Sequence, residues 1–282
     1  MESVLIDFLN EYYKANLKKI HDVAGNQHLA GYSQYYKTNL FVKIFKQQEM
    51  FYAEQHVDQV YCPDIFIGTV IFGENYVVVL KDRQLKELEQ KDLNEEQAYI
   101  YGRLLAEFHR NLTGKVSVPQ TNESLSQQIK FKLDSLKDEK HQQKAKRVLK
   151  VIEKDLPAAD QEFAKLKKVV LHGDFSIRNI MIYQGNYVLI DFERTHIGCQ
   201  YEDFIKFFFY EVKDKKMRQS FIAGYQSLLE FDIPQKSCQQ ALLFYTALDI
   251  YSFHESHEQE KFGDMADQML ATVSDGVPVL EI

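Results

Sequence analysis

The stretch VVLHGDFSIRNIMIYQGNYVLIDFER, Val169 to Arg194, decides how the rest of the chain is read. Two short apolar runs, Val169–Leu171 and Asn186–Ile190, each lead into acid: His172-Gly173-Asp174 after the first, Asp191-Phe192-Glu193 after the second. Asn179 follows Asp174 by five positions. Tyr187–Ile190 has the composition of a strand, and Gln184-Gly185-Asn186 is the turn that feeds it. A hairpin there returns the chain beside its starting point, so Asp174, Asn179 and Asp191 can converge at one mouth. Three oxygen-bearing side chains without a cysteine cluster suit a hard cation such as Mg2+ better than zinc.

Upstream of this stretch, Val4, Leu5, Phe8, Leu9 and Tyr12 recur at helical spacing, which predicts an amphipathic helix over Ser3–Tyr13. His28–Tyr36 and Asn39–Phe45 read as a hairpin turning at Lys37-Thr38. In its second arm Phe41, Lys43 and Phe45 share one face, and a lysine among aromatic rings needs a counter-charge or an anionic ligand. A helix over Gln47–Val60 offers Glu54 as that counter-charge and ends at Tyr61-Cys62-Pro63. Ile65–Phe72 and Tyr76–Leu80, turning at Gly73-Glu74-Asn75, complete a small lobe of antiparallel sheet. Lys81–Asp92 reads as a charged connector, and Asp92-Leu93-Asn94-Glu95 as the cap of a helix with Tyr101, Leu104, Leu105 and Phe108 on its core face. His109-Arg110 at its end suits the helix dipole. Glu123–Lys168 predicts one or two amphipathic helices. After the central stretch, Tyr201–Val212, Met217–Phe231, Cys238–Phe253 and Asp264–Val273 are helical by periodicity. The fold class is therefore α+β and two-lobed, with an N-terminal lobe at residues 1–81 and a larger, mainly helical lobe at 82–282.

At 282 residues the chain is long for one hydrophobic core, which agrees with two lobes. No apolar run is long enough to span a membrane, and the acidic opening MESVLIDFLNEYY is unlike a signal peptide. Cys62, Cys199 and Cys238 lack metal-site spacing and read as reduced thiols of a cytoplasmic protein. Residues 201–282 hold 14 Asp/Glu against 7 Lys/Arg, a balance equal to the whole chain's −7. Such acidity excludes nucleic acid as main partner and fits a cationic small substrate or a solvated acidic face. Nothing in the sequence bears on oligomeric state.

One carboxylate before an Asn, a second seventeen residues later and a distant Lys form the kit for phosphoryl transfer from a nucleotide. Asp174 would orient the attacking hydroxyl, Asn179 and Asp191 would hold Mg2+, and Lys43 would neutralise the donor phosphates. A rival grouping, His172, Asp174, Asp191, Glu193 and His196, would make a metal-dependent hydrolase but leaves Asn179 and Lys43 without a part.

HGDFSIRN followed by LIDFE resembles the HGDxxxxN…IDFE signature of the aminoglycoside phosphotransferase and choline kinase group, which has a protein-kinase-like fold. GRLLAEFH (102–109) resembles that family's helix leading into the C-terminal lobe. FVKIF (41–45) and MFYAEQ (50–55) resemble its lysine strand and glutamate helix, with a particular likeness to fructosamine kinases. Gly198 and Glu202-Asp203 also stand where the family carries a Gly and an Asp. The resemblance covers residues 20–210 or so. It implies Asp174 as catalytic base, Asn179 and Asp191 on Mg2+, Lys43 on the phosphates of ATP or GTP with Glu54 beneath it, and the backbone of Val79, Leu80 and Lys81 as the adenine hinge. Asp203 would fix the catalytic loop. Two features depart from the pattern: Lys81-Asp82 stands where the hinge carries a Glu, and no GxGxxG is present, Gly25 and Gly31 lying near the expected phosphate loop.

The acceptor would be chosen by the C-terminal helices. ALDIYSFHESHEQE (247–260) offers Asp249, Tyr251, His254, Glu255 and Glu258 as one cleft wall, suited to a hydroxylated amine such as an amino alcohol, aminoglycoside or other amino sugar. A nucleotide-binding regulator without turnover is the alternative to a kinase of small molecules.

Overall fold

The computed structural model describes residues 2–23, 25–88, 93–257 and 260–280. The expected capping residue Asp92 and the acceptor-site residue Glu258 lie outside them. Helix α1 (Glu2–Tyr12) precedes strands β1 (Lys18–Val23), β2 (Asn26–Ser33) and β3 (Thr38–Phe45), helix α2 (Gln48–Tyr61), and strands β4 (Phe66–Phe72) and β5 (Asn75–Lys81). The five strands form one antiparallel sheet in the order β1-β2-β3-β5-β4. Strand β1 has no counterpart in the sequence-based expectation. Its KKIHDV is charged because it is the sheet's edge, where a strand needs no buried face.

Pleating sorts β3 into two faces. Leu40, Val42 and Ile44 pack with Leu5, Leu9 and Tyr13 of the α1 segment, while Phe45 turns to Phe51 of α2 on the other side. Lys43 shares that second face. Of the stripe expected on α1, Val4 and Tyr12 point to solvent and Tyr13 takes the buried place. Gly31 is not part of a phosphate loop: a Cβ there would lie 2.1 Å from the Asn16 carbonyl oxygen, so it lets the chain cross β2 closely. Gly25, at φ +88°, does sit in the β1–β2 turn.

The connector is more than a spacer, since β6 (Lys86–Glu87) pairs with β8 (Ile180–Tyr183), which pairs with β9 (Asn186–Leu189). Helix α3 (Glu95–Leu112) is capped by Asn94, whose side chain accepts from the N–H groups of Glu96 and Gln97. Three helices, α4 (Leu125–Ser135), α5 (Glu139–Ile152) and α6 (Leu156–Phe163), replace the one or two expected. The breaks are local: Ser124 and Gln127 form a capping box, and Asp138 caps α5. Strand β7 (Lys168–Leu171) pairs with β10 (His196–Cys199), so the region after Asp92 holds a second pair of strands besides the central hairpin. Helix α7 (Glu202–Lys206) runs into a π turn at Phe207–Glu211, followed by α8 (Lys215–Gln226), α9 (Lys236–His257) and α10 (Glu260–Ser274). No helix among the described residues is long and apolar enough to cross a membrane.

The architecture is two-lobed and α+β, as the sequence predicts. A single large apolar cluster fills the helical lobe, with α9 at its centre and α3 crossing α8 at glycines. A Cβ on Gly102 would lie 2.0 Å from the Phe221 carbonyl oxygen, and one on Gly224 2.0 Å from that of Tyr99. Both clashes are with backbone, so the helices would have to separate. Gly102→Ala is expected to destabilise the protein by about 1–3 kcal/mol, and thermal unfolding would show a clear drop in Tm despite the better helix propensity of Ala. An unchanged or raised Tm would contradict the packing.

Candidate active site

Strand β3 and helix α2 bring Lys43 and Glu54 together at 2.5 Å, and the end of β9 brings Asp191 to 3.0 Å from the same ammonium. Lys43 and Glu54 are buried. Burial alone would lower the Lys43 pKa, but Asp191, Glu54 and Asp58 outweigh it and hold the ammonium charged above its ordinary range. Lys43 in turn draws the Asp191 carboxyl down to about 2. The second oxygen of Glu54 accepts the Phe192 N–H at 2.7 Å, so one glutamate joins the lysine strand to the DFE segment 138 residues later. Asp191 is at φ +70°, a left-handed conformation rare for a residue other than glycine. Strain of this kind persists where surrounding contacts over-determine it.

The loop after β7 is set by a buried carboxylate. Asp203 accepts the N–H groups of His172 at 2.7 Å and Gly173 at 2.8 Å, and the His109 Nε2 at 2.9 Å. Burial opposes its ionisation, but the bond from His109 and the neighbouring charges hold its carboxyl below the usual range. His109 completes the set through Nδ1 and the Tyr225 hydroxyl at 2.7 Å. The histidine expected to face the dipole at the end of α3 is thus buried and structural, because the helix axis aims its side chain inward. Gly173, at φ +79°, leaves no room for a Cβ, which would meet the Arg194 carbonyl oxygen at 2.1 Å. His172 donates from Nε2 to the Ile190 carbonyl at 3.0 Å, tying this loop to the end of β9. Burial lowers its pKa, which favours that neutral tautomer.

From this frame Asp174 and Asn179 project beside each other. The Asn179 amide donates to the Asp174 carbonyl at 2.8 Å, which fixes its orientation and leaves its oxygen outward. Asp174 pairs with Arg178 and lies 3.8 Å from the Lys206 ammonium. Asp174, Asn179 and Asp191 line one cavity of about 520 Å3, and a second of about the same volume shares Asp174, Arg194, Lys206 and Asp249 with it. A carboxylate, an amide oxygen and a second carboxylate fit Mg2+, which keeps few protein ligands and completes its shell with phosphate and water. Among the described residues no three His, Cys, Asp or Glu side chains are grouped to hold a metal by themselves. In the hydrolase grouping, His172 is engaged by Ile190, and His196 by the Arg194 carbonyl and Glu202.

Other expected positions are placed differently. Val79 and Leu80 are paired on both sides by β3 and β4, and the Lys81 N–H donates to Ile65 at 2.8 Å. The hinge backbone outside the ladder begins at Asp82, where Arg83 forms a two-pronged pair with Asp64 and covers the Tyr183 ring. Of the described acceptor residues, Asp249 reaches the cleft. Tyr251 is buried, stacks on His141 of α5 and donates to Asp267. Glu255 accepts from the N–H groups of Lys137 and Asp138 at the start of α5, and His254 also lies beside His141. Both are turned away from the cleft because α9 packs that side on α5 and α10.

Several side chains enter the site that sequence reasoning passed over. Arg178 stands inside the HGDFSIRN motif, one helical turn from Asp174, and could have been suspected. Lys132, Arg194, Lys206 and Asn26 carry no local signal. The Asn26 amide, from the β1–β2 turn, donates to Glu193 at 2.7 Å across the lobes. Burial and the nearby Asp191 push the Glu193 carboxyl up to about 7.

The π turn places Glu211 on the Ile177 N–H at 2.8 Å, at the base of the loop that bears Asp174. Burial pushes this carboxyl up to about 7, against the Ile177 bond and Arg178. An acid raised in the folded state makes that state bind more protons than the unfolded chain. The group therefore removes stability as pH rises from its ordinary value of 4.5 to about 7. Glu211→Gln keeps an acceptor for Ile177 and lacks the titration. Its Tm relative to the parent should rise between pH 5 and 7.5 and stay level beyond; a relative fall across that window would refute the assignment.

The chain matches the model of the phosphotransferase enzyme family over residues 47–235. Against curated proteins no match is found. Among solved structures it is similar to the amicoumacin kinase hAmiN, solved with AMP-PNP, Ca2+ and Ami, at TM-score 0.67 and 12% identity, covering 100% of this chain and 95% of that one. It is similar to the aminoglycoside phosphotransferase APH(4)-Ia at TM-score 0.69 and 12% identity, with 98% and 99% covered. An ethanolamine kinase of Plasmodium vivax matches at TM-score 0.62 and 16% identity, with 95% and 84% covered. At these identities the likeness establishes the protein-kinase-like fold. With the family match over most of its length, the chain belongs to the phosphotransferase enzyme family and is a phosphotransferase.

Proposed function

We propose that this enzyme moves the γ-phosphate of ATP or GTP, bound with Mg2+, to a hydroxyl of a small molecule. The observation that carries this reading is the Lys43 ammonium held between Glu54 and Asp191, a cation shared by the two halves of the site. Residues 1–81 would form the nucleotide-binding lobe and 82–282 the catalytic and acceptor-binding lobe. Three free, buried cysteines agree with a reducing cytoplasmic setting.

Each residue then has a part. Lys43, with two of its donors on carboxylates, would direct the third to the donor phosphates. Asp174 would accept a hydrogen bond from the acceptor hydroxyl and align it for in-line attack, its proton passing to this carboxylate as the bond to phosphorus forms. Asn179 and Asp191 would hold Mg2+, which would offset the negative charge of the donor phosphates. Asp203, His172 and Gly173 would keep the loop rigid so that alignment is built in before substrate arrives. Asn26 on Glu193 would close the β1–β2 turn over the nucleotide in place of a glycine-rich loop.

The protonated amine expected of the acceptor is supported by the similar structures, which include phosphotransferases with hygromycin B and with spectinomycin and an ethanolamine kinase. On this chain, however, that expectation rests on Asp249 among the described residues.

ADP release in the presence of Mg2+ and an acceptor alcohol tests the reading. Asp174→Ala should lower kcat by about 10²- to 10⁴-fold, the usual contribution of a positioned base, while nucleotide still raises Tm. Asp191→Asn should abolish turnover through the metal. Lys43→Ala should raise KM for nucleotide and lower kcat together. Nucleotide-induced stabilisation without ADP release from any acceptor would favour a binding regulator, and Mg2+-dependent hydrolysis indifferent to Lys43→Ala would favour the hydrolase.

A further inference from the structure

Resting on the phosphotransferase reading, we propose that the acceptor carries an anionic group, a carboxylate or a phosphate ester, held by Lys132, Arg194 and Lys206 while its hydroxyl meets Asp174. Three cations from separate elements converge on the single carboxylate of Asp249 in α9. Lys132 of α4 donates to Oδ1 at 2.9 Å, while Arg194, after β9, and Lys206 of α7 stand 3.7 and 3.9 Å from Oδ2. Each lines the acceptor cavity, with its side chain about a quarter exposed at 23%, 29% and 27%.

Positive charge is concentrated at this end of the cavity. Lys132, Arg194 and Lys206 gather on one carboxylate, Asp249, and Lys206 is shared with Asp174, which also pairs with Arg178. The other acids of this wall are engaged elsewhere. Asp203 is bound by His109 and two N–H groups, Glu202 accepts the Cys199 N–H and faces His196, and Glu193 holds Asn26. Glu49 is exposed on the opposite lobe. Cations gathered around one carboxylate in this way repel one another. Asp249 offsets part of that repulsion and stays ionised: burial would raise its pKa, but Lys206, Lys132 and Arg194 hold it well below the usual carboxylate range.

Hydrogen bonding points the same way. Arg194 and Lys206 are beyond hydrogen-bond range of Asp249, and among the described residues neither head group makes a hydrogen bond. The Arg194 guanidinium lies over the Phe253 ring, 5.2 Å from its centroid, which fixes its plane and leaves its donor edge to the cavity. A guanidinium beside an ammonium, both with open donors, matches the two or three oxygens of an oxyanion. A protonated amine would have to displace Lys132 from Asp249 or sit against two cations whose donors are open. Lys206 lies within 4 Å of both Asp174 and Asp249, so the hydroxyl and the anionic group of the acceptor are a few bonds apart. A small hydroxy acid or a phosphorylated polyol has that form.

A matched three-carbon series separates the possibilities: glycerol, 3-amino-1,2-propanediol, glycerate and glycerol 3-phosphate. Each is titrated calorimetrically into the AMP-PNP–Mg2+ complex of the full chain and assayed with ATP for ADP release. We expect glycerate or glycerol 3-phosphate to bind at least tenfold more tightly than the neutral and amino members, and which of the two does so identifies the anion. Lys132→Met should remove that discrimination, raising KM for the anionic acceptor more than it lowers kcat, and Lys132→Arg should restore it. Preference for the amine, equal binding of the four, or no binding by either anion would overturn the proposal. So would a Lys132→Met effect confined to kcat and equal for all acceptors, which would place these cations on the transferred phosphate. Anion binding with no ADP release would instead bring down the phosphotransfer reading and leave the anion site standing.

Discussion

The fold depends on one buried cation shared by two carboxylates. Lys43 belongs to the N-terminal sheet, Glu54 to the helix that packs on it, and Asp191 to the loop leaving the C-terminal hairpin. Isolated burial of any of the three would be unfavourable, and removing one partner of such a set typically costs about 3–5 kcal/mol because a charge is left uncompensated. The set therefore adds specificity more than net stability, holding strand, helix and loop in one relative position. Its charge is also unfinished. One ammonium faces two carboxylates, which leaves room for a further cation on the Asp191 side and for anionic oxygens on the Lys43 side. In the proposed reaction a metal–phosphate pair would supply both.

A second polar centre supports the first without touching it. Asp203 gathers the N–H groups of His172 and Gly173 and the ring of His109, and His109 is itself held by Tyr225 of α8. The partners come from three elements of the helical lobe: the loop after β7, α3 and α8. The loop bearing Asp174 is thus anchored to the core by hydrogen bonds whose loss would leave buried donors unsatisfied. Glu211 does the same for the Ile177 end of that loop. The reacting groups sit in water-accessible cavities, while the groups that orient them are dry.

Much of the site was legible because its motifs are local. Gly173, Asp174, Asn179 and Asp191 lie within nineteen residues, and a strand–turn–strand pattern predicts their convergence without tertiary information. Lys43 was legible for a different reason: a lysine on the aromatic face of a strand conflicts with burial unless it is paired. The acceptor wall failed that kind of reading. Asp249, Tyr251 and Glu255 are neighbours in sequence, but a helix turns them to different sides, and α9 is buried nearly all round. Tyr251 and Glu255 face α5 and α10, and the acidic excess of residues 201–282 is largely consumed by internal partners such as His109, His141, Lys144 and the start of α5. A net charge counted along the chain says nothing about the sign of a cleft when its acids are already paired. In the hinge, likewise, Val79–Lys81 has the right composition, but sheet pairing on both sides occupies its backbone.

By itself the sequence determined the two-lobed α+β fold, the pairing of Lys43 with Glu54 and the cluster of Asp174, Asn179 and Asp191. These follow from periodicity, short-range spacing and the incompatibility of an unpaired charge with a core. Tertiary structure alone decided which charges gather around Asp249. Lys132, Arg194, Lys206 and Asp249 come from four elements spread over 118 positions of the chain and carry no pattern that links them. Their meeting is set by how α4, α7 and α9 pack, and electrostatic potential depends on distance in space, which the order of residues does not contain.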